Sequence, residues 1–204
     1  MSGSAPNTGG RLRLVLDCSM SVERGGLVQA AAALEAAERI APVEVYAFPA
    51  WSGDNIIYRL GPARPGVVEE ACRRADHRLG TPLARVVYEA AHRVYRPGDR
   101  YRTIIVTDGE CTGCGRWLER LAWEKSWVWR ILLVLSRPPE WLETSKYRRE
   151  SLRLLSLLEE ASAPWPPPIV GFDELAQMEP GDPRLRPGLP ANPAASRAWK
   201  TGFP

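Results

Sequence analysis

Arg11-Leu-Arg-Leu-Val-Leu-Asp17-Cys-Ser-Met-Ser21 is the stretch on which the fold turns. It opens with alternation, Arg-Leu-Arg-Leu, and then becomes wholly apolar through Val15 and Leu16. A strand buried on both faces reads this way, because helices packed on either side of a parallel sheet leave it no wet face. The run stops at Asp17, and two hydroxyls, Ser19 and Ser21, follow within five residues. Gly25 and Gly26 then precede Leu27, Ala30, Ala31, Leu34, Ala37 and Ile40, which recur at helical spacing.

The same alternation of types repeats along the chain. Val43-Glu-Val-Tyr-Ala-Phe48 reads as a second strand, and Ile56-Ile-Tyr-Arg-Leu60, short and polar-flanked, as an edge strand. Val67 to Ala75 is expected to be a short helix. Thr81-Pro82 opens a longer one, with Leu83, Val86, Val87, Ala90 and Val94 on one face. Tyr101 to Thr107 is a buried strand ending at Asp108-Gly109, a helix spans about 116–125, a strand 128–135, a helix 146–161, and a last short strand lies near 166–172. Strands alternating with helices of this length predict an α/β, doubly wound parallel sheet, covered on both faces and joined by right-handed crossovers.

Ten of the 19 prolines follow residue 160, and residues 180–204 show no apolar period. The chain therefore divides into a flexible start at 1–10, a folded domain at 11–179 and a Pro-rich tail at 180–204. That tail holds four basic groups against one acidic group, which accounts for the whole net charge of +3. The balanced body gives no compositional pointer to nucleic acid. The longest apolar run, Ile131 to Leu135, falls far short of the roughly 20 residues of a membrane span. The first ten residues have neither a basic nor an apolar targeting region, so the expected location is the cytoplasm. Scarce amides, two Gln and three Asn, among many charged residues fit a heat-adapted protein.

In a doubly wound sheet, ligands bind beyond the carboxyl ends of the strands, where the strand order switches. Three oxygen-rich segments are expected to meet there: Asp17, Ser19 and Ser21 after the first strand, Thr81 at a helix mouth, and Asp108 after the strand at 101–107. Each has an ordinary reading as a cap or turn. Their conjunction is a set of hard oxygen donors with only two charges, which suits Mg²⁺ or Mn²⁺ and does not suit zinc.

Val15-Leu-Asp-Cys-Ser-Met-Ser21, Leu79-Gly-Thr-Pro-Leu83 and Ile105-Val-Thr-Asp-Gly-Glu110 resemble the three parts of the metal-ion-dependent adhesion site of von Willebrand factor A domains. The likeness covers about residues 11–175. It implies a six-stranded, mostly parallel sheet with one antiparallel edge strand, for which 56–60 is the candidate. It also implies that Ser19, Ser21 and Thr81 contact the metal directly, and that Asp17 and Asp108 do so directly or through water. By the same resemblance the site binds and does not catalyse: an Asp or Glu of a protein partner fills an open position on the cation. The intracellular branch matches better, and it implies a multi-subunit partner such as a MoxR-type AAA ATPase.

Other readings compete. An Asp at the end of a first strand is also the nucleophile position of haloacid-dehalogenase-like phosphatases. Those enzymes require a second carboxylate two residues on, where this chain has Ser19, whose hydroxyl cannot act as the acid. No glycine pattern for nucleotide binding is present. Cys111 and Cys114 read as free thiols, with a local disulfide, a zinc site or a redox pair as alternatives. His77 and His92 read as helix-surface residues. Trp117, Trp123, Trp127 and Trp129 read as core packing, the alternative being an exposed partner surface.

Overall fold

The computed structural model describes residues 10–19, 26–49, 55–75, 80–162 and 168–188. Six strands run in chain order: β1 (Leu12–Asp17), β2 (Val43–Phe48), β3 (Tyr58–Pro62), β4 (Thr103–Thr107), β5 (Ile131–Leu135) and β6 (Ile169–Gly171). Between and after them come α1 (Gly26–Ile40), α2 (Val67–Arg74), α3 (Leu83–Glu89), α4 (Gly115–Trp123), α5 (Arg148–Ser162) and α6 (Phe172–Gln177). The strands form one sheet in the order β3-β2-β1-β4-β5-β6. All neighbours pair in parallel except β3, which lies antiparallel to β2 at the edge. The α/β, mostly parallel six-stranded sheet expected from the sequence is the architecture observed.

Side chains alternate across each strand, so one sheet feeds two cores. Leu14, Leu16, Val45, Ile104, Val106, Leu132 and Val134 pack under α1, α2 and α6 through Ala33, Ala37, Val67, Ala71 and Leu175. Val15, Phe48, Ile105, Leu133 and Leu135 pack on the other face with Leu83, Val87, Leu118, Leu154 and Leu158 of α3, α4 and α5. Arg13, which starts the alternation in β1, is itself buried and pairs with Glu44 and Asp99. Glu44 is paired in turn by Arg59 of β3. This ion-pair network occupies the starting end of the strands, opposite the end at which Asp17 stands.

Several element boundaries differ from expectation. The edge strand expected at 56–60 is β3 at Tyr58–Pro62, the strand expected from 101 begins at Thr103, and the last strand narrows from 166–172 to Ile169–Gly171, with the unexpected helix α6 directly after it. Residues 128–130 are not strand: Lys125–Arg130 form a 3₁₀ helix, because Trp127 is fully buried there and its indole N–H donates to the Leu121 carbonyl at 2.9 Å. The helix opened by Thr81-Pro82 widens into a π-helical turn at Ala90–Val94. The first nine residues assigned to the tail, 180–188, lie on the body. Leu185 is fully buried, Arg102 donates its backbone N–H to the Leu185 carbonyl at 2.7 Å, and its Nε donates to the Arg186 carbonyl at 3.1 Å. One apolar side chain in a Pro-rich segment has no period to detect, which is why the reading passed over it.

The tryptophans divide. Trp127 is core, Trp117 is half-buried beneath Arg85, Arg116 and Arg120, and Trp123 is 89% exposed. No helix among the described residues is long and apolar enough to cross a membrane.

Candidate functional site

The strand order reverses direction at β1, which lies between β2 and β4, and this switch leaves a crevice beyond the carboxyl ends of β1 and β4. Asp17 is the last residue of β1, and Asp108 immediately follows β4. Asp17, Ser19, Thr81 and Asp108 are each 4% exposed or less, a rare condition for polar side chains without a shared purpose. Ser21, the fifth expected ligand, lies outside the described residues, as does His77.

The four described residues are linked. The Ser19 backbone N–H donates to Asp17 Oδ1 at 2.9 Å, which turns the chain sharply as it leaves the strand. Thr81 Oγ1 donates to Ser19 Oγ at 2.8 Å, so the first and second segments meet through their hydroxyls. The ordinary reading of Thr81 as a helix cap does not hold: Pro82 stands at the N-cap of α3, with no side-chain cap. The hydroxyl of Thr81 reaches the first segment through Ser19.

A close backbone approach joins the second and third segments. The Thr112 N–H donates to the Thr81 carbonyl at 2.8 Å. A Cβ at Gly80 would sit 2.3 Å from Thr112 Oγ1, so only glycine fits beside Thr81. Cys111 and Cys114 contribute to the same junction. They are a disulfide, not the expected free thiols, and therefore neither a zinc site nor a reduced thiol pair. Gly113, with φ +63°, supplies the turn that brings their Cα atoms to 6.0 Å. The Ala84 N–H of α3 points at Cys111 Sγ at 3.4 Å, which ties the third segment to the helix after Thr81.

The two carboxylates differ in their surroundings. Asp17 accepts from the Ser19 N–H and, at Oδ2, from Thr107 Oγ1 at 2.6 Å. Burial, and next the negative charge of Asp108, still push its carboxyl up to about 7, against the opposing effect of those hydrogen bonds. Asp108 accepts from the Glu110 N–H at Oδ1, 3.0 Å, but its Oδ2 is buried with no hydrogen-bond partner among the described residues. An orphaned carboxylate oxygen beside a second buried carboxylate is costly unless a cation is present. Asp17, Ser19, Thr81 and Asp108 could therefore hold a hard divalent cation, with Ser21 as a further candidate. No group of three or more His, Cys, Asp or Glu suited to a metal occurs among the described residues, and the crevice accordingly offers two carboxylates and hydroxyls, not a zinc-type set.

Sequence reasoning missed Thr107, which bridges the site by donating to Asp17 and accepting from the Gly109 N–H at 3.2 Å. Its signal was a hydroxyl at the last position of a buried strand, one residue before the carboxylate. Glu110 was quoted within the third segment without a role; it accepts from Ser145 Oγ at 2.6 Å and braces the loop from outside. His92 stacks on Tyr88 on the far helices, and burial, helped by Arg130 and Arg120, lowers it to about 4.

No family model matches the chain, and no curated protein matches it.

Proposed function

We propose that the chain is a metal-dependent protein-binding module of the von Willebrand factor A type. In this reading Asp17, Ser19, Ser21, Thr81 and Asp108 hold Mg²⁺ or Mn²⁺. An Asp or Glu of a protein partner completes the coordination, and the partner is a larger assembly such as a MoxR-type AAA ATPase. The observation that carries the reading is the unpartnered, buried Oδ2 of Asp108 beside a second buried carboxylate. A cation with only two anionic ligands stays electrophilic toward an incoming carboxylate, and a contact of that kind is strong and orientation-dependent. The chain's own residues serve to keep the donors turned inward: Thr107 and the Ser19 N–H orient Asp17, and the Glu110 N–H orients Asp108. Turnover is not part of the reading, since Ser19 stands where a phosphatase needs a carboxylic acid.

The test is retention of partner proteins on immobilised wild type and Asp17→Ala, each with Mg²⁺ and with EDTA. A protein held by wild type in Mg²⁺, released by EDTA and not retained by Asp17→Ala is the expected outcome. Moderate salt should release less than chelation, because a direct metal–carboxylate contact is screened less than a surface ion pair. Equal retention in all four arms would contradict the proposal.

A further inference from the structure

Cys18 sits in the metal loop, between Asp17 and Ser19, and its own side chain turns away into the core under α1 and α2. There the Cys72 thiol of α2 donates to Cys18 Sγ, with the two sulfurs 3.7 Å apart and no disulfide between them. Cys18 is 3% exposed, whereas Cys72 is only partly buried and within reach of solvent. The two residues are 54 apart in sequence, so no local turn imposes this meeting. It is a product of the fold, and it links the first metal-binding segment to a helix that takes no other part in the site.

We infer that Cys18 and Cys72 are an oxidisable dithiol whose disulfide weakens the hold of the adjoining site on its cation. The oxidant is a peroxide. The Cys72 thiolate attacks one peroxide oxygen, the O–O bond breaks, Cys72 becomes a sulfenic acid, and the departing hydroxide takes up the proton that the thiol gave up and leaves as water. Cys18 sulfur then attacks the Cys72 sulfur; the S–S bond forms, the S–O bond breaks, and the hydroxide leaves as water with the Cys18 proton. In sum two thiols lose two electrons and two protons, and one peroxide becomes two waters. Cys72 reacts first because solvent reaches it; Cys18 resolves because it lies next to it.

The consequence for the site follows from geometry. A disulfide brings the sulfurs to about 2.0 Å, so they must approach by about 1.7 Å. The Cys18 N–H is fixed to the Phe48 carbonyl at 2.8 Å, and its flanking residues are Asp17 and Ser19. Any share of the approach taken by the Cys18 backbone displaces both ligands. Small, near-octahedral cations tolerate such displacement poorly. This second step rests on the metal reading proposed above; the crosslink does not.

The experiment treats the full chain with hydrogen peroxide, blocks remaining thiols, and maps peptides without reduction. It then compares Mn²⁺ affinity before and after oxidation, for wild type and Cys72→Ser. A Cys18–Cys72 crosslink is expected in wild type, with Mn²⁺ binding about tenfold weaker, a loss typical of disturbed outer-shell support. Cys72→Ser, which keeps Cys111 and Cys114 intact, should bind Mn²⁺ like reduced wild type before and after peroxide. Free Cys18 after treatment, or Cys72 oxidised without joining Cys18, would overturn the inference while leaving the metal reading standing. A crosslink with unchanged affinity would overturn the coupling. No Mn²⁺ binding by the reduced protein would instead remove the metal reading, and the coupling with it, whatever the peptide map reports.

Discussion

Asp17 is the residue on which the energetics of the crevice concentrate. Its folded carboxyl is raised to about 7 from an ordinary 3.8 by burial and by Asp108, so between those values the metal-free folded state binds a proton that the unfolded chain has lost. The sign is fixed: this stability is fully present below the unfolded value and disappears as pH rises through about 7. In EDTA, the melting temperature of wild type should therefore fall between about pH 5 and about pH 8, and that of Asp17→Asn should fall distinctly less. Thermal melts of both proteins check this, and equal slopes would remove Asp17 as the source. The same residue illustrates what a sequence can disclose. Asp17, Ser19 and Asp108 were legible because they follow strands whose apolar runs end abruptly, at the edge where such sheets bind ligands. Thr107 was not legible, because a threonine ending a buried strand is ordinary until the fold aims its hydroxyl at Asp17, 90 residues away.

At the scale of elements, all six strands were legible in their places, β1 and β2 to within a residue and the others to within two or three at an end, and the clearest misses share one cause. Apolar content marks burial, but not which element performs it. Trp127 and Val128 are buried from a 3₁₀ helix, and the strand begins only at Ile131. Arg13 looks like the wet side of an alternating strand, yet it is buried, because Glu44, Arg59 and Asp99 converge on the same end of the sheet from three other segments. Residues 180–188 are anchored by the Leu185 side chain, by the Arg184–Glu174 ion pair, and by the Leu185 and Arg186 carbonyls, which accept from Arg102. Because Leu185 is fully buried against the α1/α6 core, Leu185→Ala should cost about 2–5 kcal/mol of unfolding free energy. Denaturant unfolding measures this. A change within error would mean that the segment rests on the body without stabilising it.

The whole molecule separates its tasks by end and by face. The two apolar cores secure the sheet, the buried ion pairs of Arg13 and Glu44 occupy the starting end of its strands, and Asp17 and Asp108 stand at the other with no basic side chain paired to them among the described residues. Nothing among the described contacts neutralises Asp108 Oδ2, and the Cys111–Cys114 disulfide with the Thr112–Thr81 hydrogen bond holds the second and third segments in register around it. Asp108→Ala is therefore the sharpest probe of metal binding, since the substitution deletes the orphaned oxygen of a residue that lies outside the strands. Calorimetric titration of Mn²⁺ into metal-free wild type and Asp108→Ala is the direct measurement. Wild type is expected to bind a single Mn²⁺ per chain saturably, and Asp108→Ala to bind it about tenfold or more weakly with its circular dichroism unchanged. Absent binding by wild type, or equal binding by the two proteins, would contradict the metal reading.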